Sequence, residues 1–266
     1  MPQKRQIFAV DHRQLDQLES LPQTVVAHGR DLASGDTLAF HRHRRAQLVY
    51  ASDGVMTVTT RSAAYLVPPL RAVWMPGGVE HQIEARSAVI MRTLYIEPAA
   101  ASALPTEICV LNVTPLLREL IIAAVTNGNR YASDSPAARI MSVILDQIQA
   151  QPVASLALPI PGDARLRRLT RALLDDPADR RSLGEWSKVV GASKRTLIRL
   201  FPEQTGMTFR AWRQQRRLLR ALELLSSGAD VTSIALEVGY DNSSAFISMF
   251  RRCLGTTPLQ YLRNAS

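Results

Sequence analysis

All five histidines of the chain fall in its first 81 residues: His12, His28, His41, His43 and His81. His41-Arg42-His43 is an H-x-H pair, and on a strand such a pair turns both rings to one face. Neutral imidazoles suit divalent first-row ions such as Zn, Ni, Fe or Mn. The same rings serve equally well in a metal-free pocket, where they hydrogen-bond a ligand or each other. Tyr50, Trp74, Arg92 and Tyr95 are candidates for lining an effector pocket, although aromatics on strands also serve as core. His12 and His28 read as surface or loop residues.

A second set of residues points to different chemistry. Residues 1–158 carry 14 Lys and Arg against 13 Asp and Glu, whereas residues 159–266 carry 18 against 10. The net charge of +9 therefore sits almost wholly in the C-terminal part. A neutral half joined to a basic half suggests a sensor or enzyme attached to a polyanion binder.

That basic part contains a repeat. Leu183, Trp186, Val190 and Gly191 recur as Val231, Ile234, Val238 and Gly239, and Leu197, Phe201, Gly206 and Thr208 recur as Phe246, Phe250, Gly255 and Thr257. Each copy reads as helix, glycine turn, helix, the helix-turn-helix layout. Ser182 with Glu185 predicts a capping box, and Ser193 and Thr208 predict further N-caps. With Leu197, Leu200 and Phe201 turned inward, Lys194, Arg195, Ile198 and Arg199 remain on the open face of the first copy's second helix. With Phe246, Met249 and Phe250 inward, the second copy leaves Ser243, Ser244, Ile247, Ser248 and Arg251. Arginines there suit guanine or phosphate, serines suit bases or phosphates, and isoleucine suits a thymine methyl. A connecting helix over about 208–226 carries the stripe Arg213, Arg216, Arg217 and Arg220, which fits phosphate contact or a solvated face equally. Arg165, Arg167, Arg168 and Arg171 read the same way.

The elements that would position these residues divide the chain in two. Runs at 47–50, 55–59, 65–67, 72–75 and 89–96, separated by Gly and Pro turns, predict a β-sandwich or barrel. Helices are expected over 115–125 and 136–150, for packing or for a dimer. Three prolines and a glycine in 151–162 read as a linker. The expected architecture is α+β with two domains: a sensor over 1–150 and an all-α domain over 163–266 with two helix-turn-helix units.

Composition is ordinary for a globular chain, 46% apolar and 21% charged, which excludes disorder and collagen-like classes. No apolar run approaches the ~20 residues that span a bilayer, and Met1 to Asp11 lacks the apolar core of a signal peptide. Cys109 and Cys253 form no metal or redox spacing. A reduced cytoplasmic protein without membrane contact is the expectation.

The stretch Val231-x2-Ile-Ala-x2-Val-Gly-Tyr-x3-Ser-x-Phe-x3-Phe-Arg-Arg-x2-Gly-x-Thr-Pro-x2-Tyr-Leu-Arg263 resembles the second helix-turn-helix of the AraC family of bacterial transcription regulators. The resemblance extends over about 163–263. It implies two units in adjacent major grooves, with base-reading positions at Arg195, Ile198, Arg199, Ser243, Ser244 and Ser248. The first unit departs slightly at Gly184-Glu185-Trp186-Ser187. Gly35-x5-His41-x-His43-x3-Gln47-x6-Gly54 is similar to the first cupin motif with Gln for Glu, and Pro76-x-Gly78-x2-His81 to the second. That likeness, over about 24–98, implies a cupin-like barrel in which His41, His43, Gln47 and His81 hold one divalent metal, with open positions for an anionic effector. The absent Glu weakens such a site, and Ala85 stands where the motif carries Asn. Together the two resemblances imply a DNA-binding regulator, not an enzyme, acting as a homodimer and controlled by an unknown small molecule or by the metal itself. The alternative is a cupin-type metalloenzyme whose basic half only localises it.

Overall fold

The computed structural model describes residues 7–8, 12–149, 153–154 and 157–265. The chain forms two compact units, Met1–Arg61 with Tyr65–Ala157, and Ser62–Ala64 with Leu158–Ser266. The division falls inside the stretch read as a linker.

The first unit is built from strands. Its elements are β1 (Ile7–Phe8), α1 (His12–Ser20), β2 (Val25–Leu32), β3 (Thr37–His41), β4 (Ala46–Asp53), β5 (Met56–Thr59), β6 (Ala63–Val67), β7 (Arg71–Met75), β8 (His81–Ala85), β9 (Val89–Ile96), α2 (Pro98–Ala101), β10 (Cys109–Asn112), α3 (Pro115–Asn127), α4 (Pro136–Gln149) and β11 (Val153–Ala154). One sheet has the order β1-β3-β8-β5-β6, the other β11-β10-β7-β4-β9-β2. Strand β4 is buried from Ala46 to Ala51 on both of its faces. Leu48 and Tyr50 belong to one core with Leu94, Trp74 and the inner faces of α3 and α4, while Gln47 turns the other way. Burial on both faces explains a run with little polar alternation.

Strand β9 matches the predicted range, and α3 and α4 begin where Pro115 and Pro136 place them. Thr114 caps α3 by accepting from Leu117 N. Helix α1 was not anticipated. It docks Leu15 on Val26 and Tyr95, with Leu18 and Leu21 alongside.

The stretch read as a linker also carries short strands. Val153 and Ala154 pair with β10 at Leu111 and Val110, and β12 (Ala157–Pro159) is a third piece of strand. Residues 151–152 and 155–156 lie outside the described residues. Leu158 is buried, and Pro159 O accepts from Trp212 Nε1 at 2.9 Å.

The second unit comprises α5 (Ala164–Asp175), α6 (Leu183–Val190), α7 (Lys194–Thr205), α8 (Phe209–Ser226), α9 (Val231–Glu237), α10 (Ser243–Leu254) and α11 (Pro258–Ala265). Both copies of the repeat carry the same punctuation. Ser182 and Asp230 cap the first helices, Ser193 and Asn242 the second, and Gly206 and Gly255 end the second in the left-handed region. The Ser182–Glu185 capping box is present in both directions. Helix α8, 18 residues long, spans about 27 Å and buries Trp212, Leu218, Leu219, Leu222 and Leu225. Each such side chain contributes roughly 1.5–3 kcal/mol.

Candidate functional sites

His41 ends β3, His81 opens β8, and the two residues pair across the strands with ring centroids 4.3 Å apart. A bulge between Leu38 and His41 sets this register. His43 lies beyond the end of β3, so strand alternation does not place it. The Pro76-Gly77-Gly78 turn does. Gly78 N donates to His43 O at 2.7 Å, and a Cβ on Gly77 would stand 2.0 Å from Arg44 O, so only glycine allows this approach. The loop is held from its other side as well. Arg44 N and Arg45 N donate to Glu19 Oε1, and the buried Arg45 side chain donates to Leu21 O and Gln23 O and pairs with Glu97 at 3.1 Å. Sequence reasoning missed Glu19 and Arg45, since an Arg-Arg pair ordinarily marks a solvated turn.

The three rings share one protonation logic. His41 Nδ1 lies 2.9 Å from Ala39 O, His43 Nδ1 2.7 Å from Arg45 O, and His81 Nδ1 2.9 Å from Val79 O. A carbonyl only accepts, so each Nδ1 donates there, which leaves the three Nε2 atoms for other contacts. The ligand atoms of the three buried histidines lie within 4.8 Å of one another. His81 Nε2 is buried without a hydrogen-bond partner. Burial first, and then the neighbouring His41, push the His81 pKa down to about 3.

Gln47 completes the cluster. Its Nε2 donates to Thr93 Oγ1 at 2.9 Å, and Thr93 Oγ1 donates onward to Leu48 O at 3.0 Å. That chain fixes the amide so that Oε1 faces His43 Nε2 at 3.0 Å. These two atoms meet in a buried place, a contact that a proton or a bound cation between them would satisfy. Two donors each about 2.1 Å from one ion and at right angles stand about 3.0 Å apart. Opposite ligands of such an ion span about 4.2 Å, so ring movements of well under 1 Å bring the outermost nitrogens within reach. The donor set fits a divalent first-row ion.

Three of the four expected pocket residues, Tyr50, Trp74 and Arg92, do not gather around these rings. Tyr95 does, edge-on to His43 with centroids 5.1 Å apart. Tyr50 and Trp74 point to the opposite face of their sheet, into the core beneath α3 and α4, where Trp74 Nε1 donates to Pro105 O. Arg92 pairs with Asp31 at 3.1 Å and lies against Gly29. The reason is the two-residue period of a strand: positions 92 and 74 have the wrong parity relative to 93 and 95. His28 is a half-buried strand residue of β2, not a loop residue, and burial, then Arg30, lowers its pKa. The side chain of His12 lies outside the described residues.

In the second unit, Lys194, Arg195, Ile198 and Arg199 are exposed on α7, with Ile198 at 55%. Arg199 Nη1 donates to both carboxylate oxygens of Glu203, one turn on. On α10, Ser244, Ser248 and Arg251 are exposed, while Ser243 and Ile247 are half-buried. The stripe on α8 is different. Arg216 is buried and donates to Leu174 O, Arg217 donates to Pro177 O and Asp179 O, Arg213 to Arg181 O, and Arg220 to Glu223 and Glu237. All four arginines make contacts within the unit, and Arg216 alone of the four is buried. On α5, Arg165 pairs with Asp163, whereas Arg168 and Arg171 are exposed. Among the described residues, no helix is long and apolar enough to cross a membrane.

Residues 26–179 match the family model for the AraC-like ligand binding domain, and residues 186–264 match that for a helix-turn-helix domain. The chain is 37% identical over 226 residues to the HTH-type transcriptional regulator NimR of Escherichia coli (strain K12), covering 85% of this chain and 82% of that protein. Over 100 residues it is 36% identical to the HTH-type transcriptional regulator RipA of Corynebacterium glutamicum, covering 38% of this chain and 30% of that one. The solved structure of ToxT from Vibrio cholerae aligns with 91% of this chain and 99% of its own, at 11% identity and a TM-score of 0.39.

Proposed function

Because this chain belongs to the AraC family of transcription regulators, with an AraC-like ligand-binding domain and a helix-turn-helix domain, we propose that it is a sequence-specific DNA-binding regulator whose sensor holds a divalent metal. On this reading, α7 and α10 enter successive major grooves of double-stranded DNA. Arg195, Arg199 and Arg251 meet guanine or phosphate, with Lys194 on phosphate. Ser243, Ser244 and Ser248 hydrogen-bond bases or phosphates, and Ile198 and Ile247 meet thymine methyls. His41, His43 and His81 supply Nε2 and Gln47 supplies Oε1 to a Zn, Ni, Fe or Mn ion in a cupin-like barrel. The bound ion would act as a Lewis acid that takes an anionic effector as a further ligand. The regulator would work in the cytoplasm as a homodimer through the outer faces of α3 and α4, where Leu116 and Val143 are exposed.

The convergence of the buried His41, His43 and His81 ligand atoms within 4.8 Å of one another, with Gln47 Oε1 3.0 Å from His43 Nε2, is the observation that carries the metal reading. The test is elemental analysis of the purified full chain beside the His41, His43 and His81 triple alanine variant, with DNA binding measured by anisotropy before and after chelation. About one ion per chain, absent from the triple variant, is expected. A metal-free wild type whose DNA affinity ignores chelator and added metal would overturn the metal and leave a plain organic-ligand sensor.

A further inference from the structure

Helix α8 packs against α5, α7, α9 and α11. Arg217, halfway along it, reaches both copies of the repeat. Its Nε donates to Pro177 O at 3.1 Å and its Nη2 to Asp179 O at 3.2 Å. Both carbonyls lie in the turn between α5 and α6 that opens the first helix-turn-helix. The same guanidinium stands over the Tyr240 ring, 5.5 Å from its centroid, in the turn between α9 and α10 of the second. The two turns also touch directly. Arg180 Nη1 donates to Asp241 Oδ1 at 2.6 Å. A Cβ on Gly239 would come within 2.9 Å of Ala178 O and 2.7 Å of Arg217 Nη2.

We propose that Arg217 is a positioning residue that fixes the separation and rotation of α7 relative to α10, and thereby the spacing between the two DNA segments the protein accepts. The inference rests on the reading of α7 and α10 as recognition helices. The chemistry requires arginine. The turn carbonyls Pro177 O and Asp179 O lie outside any helix ladder and take their donor from Arg217. A rigid guanidinium fork serves the two while its face stacks on an aromatic ring, and a lysine ammonium cannot do both. The arrangement ties the first unit's entry turn to the second unit's central turn through one side chain, so neither unit can rotate without breaking it. Arg216, donating to Leu174 O at the end of α5, braces the same junction.

The experiment uses the full chain and a duplex selected by the wild type from a random-sequence pool. Kd is measured on that duplex, on versions with one or two base pairs inserted or deleted between the two protected segments, and on each segment alone. One inserted base pair shifts the segments by about 3.4 Å along the axis and rotates them, so the wild type is expected to lose about tenfold or more in affinity. Arg217→Met and Arg217→Lys are expected to bind the single segments as the wild type does, but to lose less than about threefold per inserted base pair, a flattened spacing profile. A variant that loses affinity equally on every duplex, with its spacing profile unchanged, would show that Arg217 only stabilises the fold and would overturn the proposal. If circular dichroism shows the Arg217 variants unfolded, Arg180→Gln, at an exposed pair between the same turns, decides: a partly flattened profile supports the proposal and an unchanged one overturns it. If the wild type selects no duplex, the recognition-helix reading itself fails, a result distinct from an unchanged profile.

Discussion

His43 and Gln47 show how one heteroatom decides a site's chemistry. The Gln47 amide sets its nitrogen 2.9 Å from Thr93 Oγ1, which in turn donates to Leu48 O, and its oxygen 3.0 Å from His43 Nε2. Gln47→Glu keeps the shape and adds a negative charge beside the three imidazoles. Metal affinity, measured by competition against a chromophoric chelator, is expected to rise by at least tenfold, the equivalent of about 1.4 kcal/mol. Unchanged affinity would show that position 47 does not face the ion. A second residue makes a pH prediction. Asp163 caps α5 and accepts from Arg165 N and Leu166 N, and chiefly its hydrogen bond with the Arg165 side chain brings its pKa down to about 2 from 3.8. The folded value lies below the unfolded one, so the stabilisation is present above pH 3.8 and is lost as pH falls toward 2. Asp163→Ala is expected to cost about 1 kcal/mol at neutral pH. The gap between variant and wild-type thermal midpoints should close across that acid window; a gap independent of pH would refute the capping account.

The repeat lets one position be tested twice at the level of elements. Gly191 and Gly239 both follow the first helix of their unit with positive φ, +71° and +81°. Around Gly191 a Cβ meets nothing within 4 Å, whereas at Gly239 it meets Arg217 Nη2 and backbone of Ala178 at 2.7–3.0 Å. Gly191→Ala should therefore cost only the left-handed backbone penalty, about 1–2 kcal/mol. Gly239→Ala should cost clearly more, since a rigid backbone contact must also give. Denaturant midpoints of the two variants measure the difference directly. Equal costs would mean that the two turns are not pressed together. Sequence comparison sees two equivalent glycines; only the packing of one unit on the other makes them unequal.

For the whole molecule, charge asymmetry and the fold together set how DNA affinity responds to salt. The C-terminal part holds the basic excess, but Arg213, Arg216, Arg217 and Arg220 are spent inside it. Arg251→Ala, on the open face of α10, is expected to reduce the slope of log K against log salt by about 0.9, one phosphate contact. Arg213→Met is expected to leave the slope as it is. The reverse pattern would return the α8 stripe to the DNA surface. In the proposed homodimer, the exposed Leu116 and Val143 of α3 and α4 lie at the interface. Leu116→Glu is expected to convert the full chain to monomers in analytical ultracentrifugation, and a chain already monomeric as wild type would remove that proposal.

Some of this was legible in the residues alone. Caps, turn glycines and helix faces are local: Ser182 with Glu185, and Leu197 with Phe201, reach their partners within one or two turns of the same segment. Short-range geometry therefore determined the two helix-turn-helix units, their open faces and the neutral-then-basic division of the chain. The side-chain pattern of His41, His43, Gln47 and His81 was also readable, because motif spacing records which residues a turn will return to one place. The tertiary structure decided the rest. Tyr50, Trp74 and Arg92 left the cluster because a strand sends alternate residues to opposite faces, and which face meets the histidines depends on a partner sheet far away in sequence. Arg45 and Arg216 became internal, and Arg213 and Arg217 turned to backbone carbonyls of distant turns, because those carbonyls needed donors. A charged side chain looks the same in sequence whether it meets water, a phosphate or a buried carbonyl; only the packing around it sets the difference.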